Sequence, residues 1–385
     1  MFYHSLLSDW NHGNAHFLRG VVTELQEQGH EVTVYEPRLG WSLQNLFAER
    51  GAQPLIDFQK AYPTLKSELY DPDHLNLDWA LYDADLVIVH EWNDPQLIAR
   101  LGQHRVKRHT LSGHRYRLLF HDTHHRCVTD PASLDEFDLT HYDGVLAFGE
   151  VVRQLYLQYG WTKRAWTWHE AADVRVFRPQ HDAEPQGDLV WVGNWGDDER
   201  TAELREFLIE PAHELKLKTR IYGVRYPQYA LETLRKAGLG YGGWLPNYEA
   251  PSVFAGYKAT VHVPRRPYVK ALPGIPTIRV FEAMACGIPL VCSPWDDSEH
   301  LFTPGEDFLV ARNKREMKGH LRDLMHDEGL RQSLAKRACK TILARHTCAH
   351  RVDQLLEICE DLGIDTRPAA TRLRVRDHEL HEAVR

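Results

Sequence analysis

Residues 272–292 read LPGIPTIRVFEAMACGIPLVC: a loop, a helix, a stop and a buried strand in succession. Pro276 is placed to open the helix, where a missing N–H costs nothing, and Gly287 to end it ahead of an apolar run. The N–H groups near Thr277 and Ile278 favour an anion such as a diphosphate, and Arg279 adds a charge-assisted contact. Glu282 lies one turn further in, where its carboxylate can accept two hydroxyl hydrogen bonds, as a ribose diol requires. Alone, the same residues also describe an ordinary amphipathic helix with Glu282 in solvent.

The strand-loop-helix-strand grammar of this stretch repeats along the chain. Apolar runs at Phe2–Leu7, Glu31–Tyr35, Leu86–His90, Arg117–His121, Gly144–Phe148 and Ala165–Trp168 read as strands, with helices at Asn14–Gln28 and Val151–Tyr159. In the second half, strands at Leu189–Gly193, Arg220–Tyr222, Thr260–Val263 and Leu290–Cys292 alternate with helices at Glu199–Leu215, Gln228–Ala237, Thr277–Ala285 and Arg315–His326. Such alternation predicts an α/β fold with parallel sheets. Phe177–Gly187, FRPQHDAEPQG, reads as a linker. The expected units are residues 1–178, residues 179–345 and a closing segment 346–385, the first two being doubly wound domains that face each other across a cleft.

Composition agrees with a globular, two-core chain: 385 residues, 43% apolar and 26% charged. A formal net charge of −8 argues against a general preference for nucleic acid. The six cysteines show no C-x-x-C pair, so neither a disulfide framework nor a cysteine zinc site is signalled, and a reducing cytoplasm is expected. No segment approaches the roughly 20 apolar residues that span a bilayer. Gln96–Phe120 carries Arg100, Arg105, Lys107, Arg108, Arg115 and Arg117 with no acid, which suggests a basic face for weak contact with the inner membrane surface or a charged acceptor.

Ligands of such folds sit at the carboxyl ends of the strands, so candidate residues are sought there. On the second domain these are Gly193 and Arg200 in GNWGDDER, Gly223 and Arg225 after IYG, and Arg265 and Arg266 after ATVHVP. On the first, SDWNHGNAHFLRG brings Asp9 as a base, Asn11, Gly13 at the turn, Asn14 as helix N-cap and His16 as a polar donor. The run RLLFHDTHHRC places His121 and Asp122 past a buried strand, where they are expected to face the cleft. Glu91 and Glu170 are weaker candidates for a base. His121, His124 and His125 lack H-E-x-x-H spacing, and Asp83–Asp85 precedes its strand, so no metal is expected.

RVFEAMACGIPLVCSP resembles the E-A-M-A-x-G-x-P segment of GT-B glycosyltransferases. GHEVTVYEP at Gly29–Pro37, DLVWVGNW at Asp188–Trp195, IYG at Ile221–Gly223, TPGEDFLVA at Thr303–Ala311 and HTCAHRVDQLLEI at His346–Ile358 agree in the same order. Within the glycosyltransferase family 1/4 group, the chain is most similar to CgeB-like spore-maturation proteins. The resemblance implies a GT-B fold and metal-independent, cofactor-free transfer from a nucleoside diphosphate sugar. It also implies Gly193, Arg200, Gly223, Arg225, Gly274, Thr277, Ile278, Arg279 and Glu282 on the donor side, and Gly13 and Asn14 in the cleft. Relatives carry a histidine at the strand end matching His121, near the reacting carbon. Many retaining members also carry a glutamate where this chain has Gly274, so the N–H groups of Gly274–Thr277 are expected to stand in for it in part.

The reaction expected is glycosyl transfer to an unidentified acceptor, with His121 or Asp9 acting near the sugar. A sugar-nucleotide epimerase of the same fold and a non-catalytic nucleotide-sugar binding module are the alternatives.

Overall fold

The computed structural model describes residues 1–112 and 116–368. Strands of the first half are β1 (Val34–Pro37), β2 (Ser67–Tyr70), β3 (Leu86–His90), β4 (Arg117–Asp122), β5 (Gly144–Ala147) and β6 (Ala165–Thr167). Those of the second half are β7 (Gly187–Val192), β8 (Thr219–Tyr222), β9 (Gly240–Gly243), β10 (Tyr257–His262), β11 (Leu290–Cys292) and β12 (Leu309–Val310). Every pairing among them is parallel. β3-β4-β5-β6 form one sheet, and Phe2 bridges both Tyr35 of β1 and Val89 of β3, joining the β1-β2 pair to it. The second sheet runs β12-β11-β10-β7-β8-β9. Strand order therefore reverses beside Phe2 in the first domain and between β7 and β10 in the second, and each reversal opens a crevice at the strands' carboxyl ends.

The first expected strand is the main departure. Only Phe2 joins a sheet, because the chain peels away at once and the N–H groups of Leu6 and Leu7 donate to the buried Glu36 carboxylate, at 2.8 and 3.2 Å, instead of to a ladder. The helix expected over Glu199–Leu215 begins at Thr201 and widens into a π turn over Arg205–Ile209. Pro211 just beyond has no N–H to give the ladder. Asn14 is the first helical residue, not the cap: Gly13 holds that position, and the Asn14 amide reaches across to the Thr123 hydroxyl.

The expected basic face is mostly turned onto the protein. Within the Pro95–Ser112 helix, Arg100 donates to the carbonyls of Pro72 and Leu75, and buried Arg105 donates to those of Tyr116 and His141 and pairs with Asp143. Arg108 reaches the Tyr82 carbonyl, and Arg117 also reaches Asp143. Lys107 is exposed, and Arg115 lies outside the described residues. Among the described residues no helix is long and apolar enough to cross a membrane.

The helix Cys348–Asp361, opened by a capping box of Thr347 and His350, returns to pack on the Asn14–Glu27 helix of the first domain. Gly20 makes that approach close. A Cβ there would collide with Cys348 Sγ and lie 2.8 Å from Asp173 Cβ. The indole of Trp168 donates to the Arg351 carbonyl at 2.8 Å, and Arg351 Nε donates back to the His169 carbonyl at 3.0 Å. One apolar core, containing Phe17, Trp168, Phe177, Phe281 and Val352, runs through both domains and this helix.

Beneath the first sheet's carboxyl ends lies a nest of imidazoles. Burial depresses His121 to about 3 and His12 to about 4, and holds His4 and His90 well below the ordinary value.

Two outcomes follow from this packing. Gly20→Val should lower unfolding stability by about 1–3 kcal/mol through overpacking, read from denaturant titration; an unchanged midpoint would show that the last helix does not dock there. Histidines kept neutral in the fold protonate in the unfolded chain near 6.5, so their contribution is intact above that pH and lost as pH falls towards 3–4, by up to about 1.4 kcal/mol per pH unit for each. Carboxyls that burial raises, Glu36, Asp122, Glu170, Glu249 and Asp297, oppose this because their contribution is lost as pH rises; the lowered imidazoles, which also include His124, His125, His262 and His346, outnumber them. The melting temperature should therefore fall between pH 6.5 and 5, and a flat or rising profile would contradict the burial.

Candidate active site

The two crevices meet in one cavity of about 620 Å³. Its walls are the loops that leave the strands: residues after Phe2, β3 and β4 on one side, and after β7, β8 and β10 on the other, with the start of the Ile278–Cys286 helix as floor. Thr277 precedes that helix in extended backbone and makes no side-chain cap. Its hydroxyl instead meets His262 Nε2 at 3.1 Å, so the Thr277 side chain takes none of the first-turn N–H groups, and the Ile278 N–H faces the Glu170 carboxyl at the cavity floor.

Arg279 lines the cavity and pairs with Glu282. The Glu282 carboxylate itself does not line it and is fully buried. Its other oxygen meets His16 Nδ1 at 3.0 Å. His16 Nε2 accepts the Asp173 N–H at 2.8 Å, which places the ring proton on Nδ1 and makes His16 the donor to Glu282. Burial acts to raise this carboxyl, but Arg279 and His16 together hold it below its usual value. Glu282 is thus not exposed for a ribose diol as the sequence suggests. It ties the second domain to the first and aims Arg279. His16, expected in the cleft, is its fully buried partner, stacked on Phe177 at 3.7 Å.

Other cations converge on the cavity with their own anchors. Arg200 lies over Trp191 and donates to the carbonyls of Asn194 and Val263 at 2.6 and 2.7 Å; burial lowers it to about 10, so it stays charged at neutral pH. Arg225 pairs with Asp197 at 2.7 Å on the rim, and Arg265 with Glu199 at 3.1 Å. Gly193 lines the cavity, and Gly223, at φ +152°, packs so tightly on the Gly193 carbonyl that a side chain would collide with it.

On the first-domain side Asn11, Gly13 and Asn14 line the cavity as expected from their loop. Asn11 Oδ1 accepts from the Asn194 amide at 2.7 Å, and a Cβ on Gly13 would stand 2.6 Å from Ile278 Cγ2, so this loop is also a domain contact. Four expected residues are elsewhere. His121 lies inside β4, its Nδ1 at 2.8 Å from the Tyr3 hydroxyl and its ring against Trp168. Asp122 accepts from the Tyr156 hydroxyl at 2.7 Å, and Glu91 pairs with Arg126. Asp9 accepts from Arg19 at 2.8 Å, Trp244 Nε1 at 3.0 Å and the Asn247 N–H at 2.9 Å, so it is a buried interdomain anchor with three of its four lone-pair sites taken, lining only a small pocket of about 30 Å³ beside the cavity. Gly274 is also outside the cavity. At φ +85° it leaves no room for a side chain, whose Cβ would meet Glu299 Cγ at 2.7 Å, and its N–H is spent on the Asp296 carbonyl at 2.6 Å. It therefore does not stand in for a missing carboxylate.

Residues the sequence did not place in the cleft fill those positions. His12, His124 and His125 and the half-exposed rings of Trp41 and Trp92 line the first-domain wall, and Asn194, His262 and Tyr268 the other. Their position just after strands was the available signal. Glu170, a minor candidate, is the carboxyl that reaches the floor, beside Ile278.

Residues 200–357 match a family model described as glycosyl transferase-like. No curated protein sequence matches the chain. Among solved structures, sucrose-phosphate synthase from Thermosynechococcus elongatus superposes with a TM-score of 0.61 at 14% identity, over 90% of this chain and 92% of that one. The Anabaena HepE protein, in complex with UDP and glucose, gives 0.64 at 11% identity over 94% and 98%. T4 phage BGT, in complex with UDP and Mn2+, gives 0.56 at 13% over 88% and 93%. At such identities the likeness establishes a shared architecture, two facing Rossmann-like domains. The chain has the GT-B fold, and residues 200–357 of its second half match a glycosyl transferase-like domain.

Proposed function

We propose that this chain transfers a glycosyl group from a uridine diphosphate sugar, held by residues 179–345, to an acceptor held by residues 1–178, with the segment from residue 346 closing onto the acceptor side. The observation that carries the reading is the floor of the cavity: an uncapped helix start at Thr277–Ile278 with Arg279 fixed beside it by a buried carboxylate, and Arg200 and Arg265 facing it. That arrangement suits two adjacent phosphates, whose charge grows on the leaving side as the glycosidic bond breaks. HepE and T4 phage BGT, which share the fold, are each solved with UDP, and this supports uridine as the base. With dipole and guanidinium charge supplied by the protein, the reading is metal-independent. The imidazoles and the Trp41 and Trp92 faces of the opposite wall offer the acceptor a polar and aromatic surface. The narrower reading, a CgeB-like member of family 1/4, rests on the ordered sequence resemblance.

Calorimetry with UDP, GDP and ADP tests the donor. UDP should bind best. Arg279→Ala should weaken it about 10–100-fold, the range for a charge-assisted hydrogen bond. Arg265→Ala, which leaves the His16–Glu282–Arg279 chain intact, should weaken it less. No binding of any nucleotide, or UDP affinity unchanged in both variants, would overturn the assignment. In an assay of UDP-glucose turnover, Asp9→Asn should change melting temperature more than rate if Asp9 is an anchor.

A further inference from the structure

Glu170 is a feature the donor reading alone does not use. It follows β6 in the segment Trp168–Asp173, is 5% exposed, and lines the cavity. Its Oε1 is buried with no hydrogen-bond partner, while the Ile278 N–H faces the carboxyl from the helix start. Its chain neighbour His169 is turned away, Nε2 lying 2.8 Å from Glu299. From the Ile278–Cys286 helix, Glu282 repels a charge on Glu170 and Arg279 attracts it; from the Arg266–Ala271 helix, the Tyr268 phenol adds to the surroundings. The carboxyl thus stands where an incoming diphosphate would meet the helix start.

Two anions cannot share that place without repulsion, whereas a carboxylic acid brings an O–H donor to it. Resting on the donor reading above, we propose that Glu170 carries a proton whenever a nucleoside diphosphate occupies the cavity and donates it in a hydrogen bond to a phosphate oxygen, so that donor binding above neutral pH draws one proton from solvent. Only that proton moves; no bond of the donor breaks in this step. Burial first, and the Glu282 charge second, push the free carboxyl up to about 8, so the protein binds nucleotide with the acid already formed at pH 7 and must take up a proton at pH 9. Arg200, at about 10, remains charged throughout that interval, and a terminal phosphate with a second ionisation near 6 is already fully charged.

The test is calorimetric titration of UDP into the full chain between pH 7 and 9 in buffers of different ionisation enthalpy. The wild type should show uptake rising from near zero towards one proton per UDP, and affinity should fall by up to about tenfold per pH unit above about 8. Glu170→Gln, which keeps an N–H donor and cannot ionise, should bind UDP with no uptake and a flat profile. UDP binding without uptake in the wild type, or uptake that persists in Glu170→Gln, overturns the proposal while sparing the donor reading. Turnover lost by 100-fold or more with UDP affinity intact also overturns it, assigning Glu170 as the acceptor's base. Failure of the wild type to bind UDP at any pH removes both.

Discussion

The Glu282 carboxylate, sealed from water between His16 and Arg279, is the contact on which the rest depends. A buried carboxylate without partners is costly enough that removing one of them destabilises strongly. Here the partners come from different domains, so pairing Glu282 also fixes how the domains meet. The Asp173 N–H sets the tautomer of His16, Phe177 stacks on the ring, and Arg279 receives its orientation from the far oxygen. The guanidinium that faces the cavity is thereby held by a chain of contacts reaching into the linker.

The same economy recurs around the cleft. Asp9, an acid in a first-domain loop, gathers donors from Arg19, Trp244 and Asn247. Asn11 meets Asn194, and Gly13 has no side chain because Ile278 stands against it. Loops at the strands' carboxyl ends thus serve as domain contacts on one edge and as cavity wall on the other. Polar residues that appear chemical in the sequence divide between the two tasks.

That division explains what could be read from the sequence. The strand and helix alternation, the helix opening after Pro276 and the reversal to a second sheet rest on local patterns, and they appear at nearly the expected positions. Arg279, Thr277, Gly193 and Asn14 reach the cavity because strand ends and helix starts direct backbone and first-turn residues there. His121 and Asp122 do not, since both still belong to β4 and turn towards the core, while Thr123, His124 and His125 just beyond them turn out. The fates of Asp9, His16 and Glu282 depended on partners up to 266 residues away, which no local pattern reveals. Phe2–Leu7 failed as a strand for a related reason: Glu36, distant in sequence, takes its N–H groups.

The most direct test of the central claim is a crystal structure of the chain with UDP. The account predicts both phosphates on the floor of the cavity, with Thr277–Ile278 N–H groups and the Arg279 guanidinium within hydrogen-bond distance and Glu282 still paired with His16. Nucleotide bound away from that helix start, or Glu282 swung out from His16 to take the ribose, would contradict it.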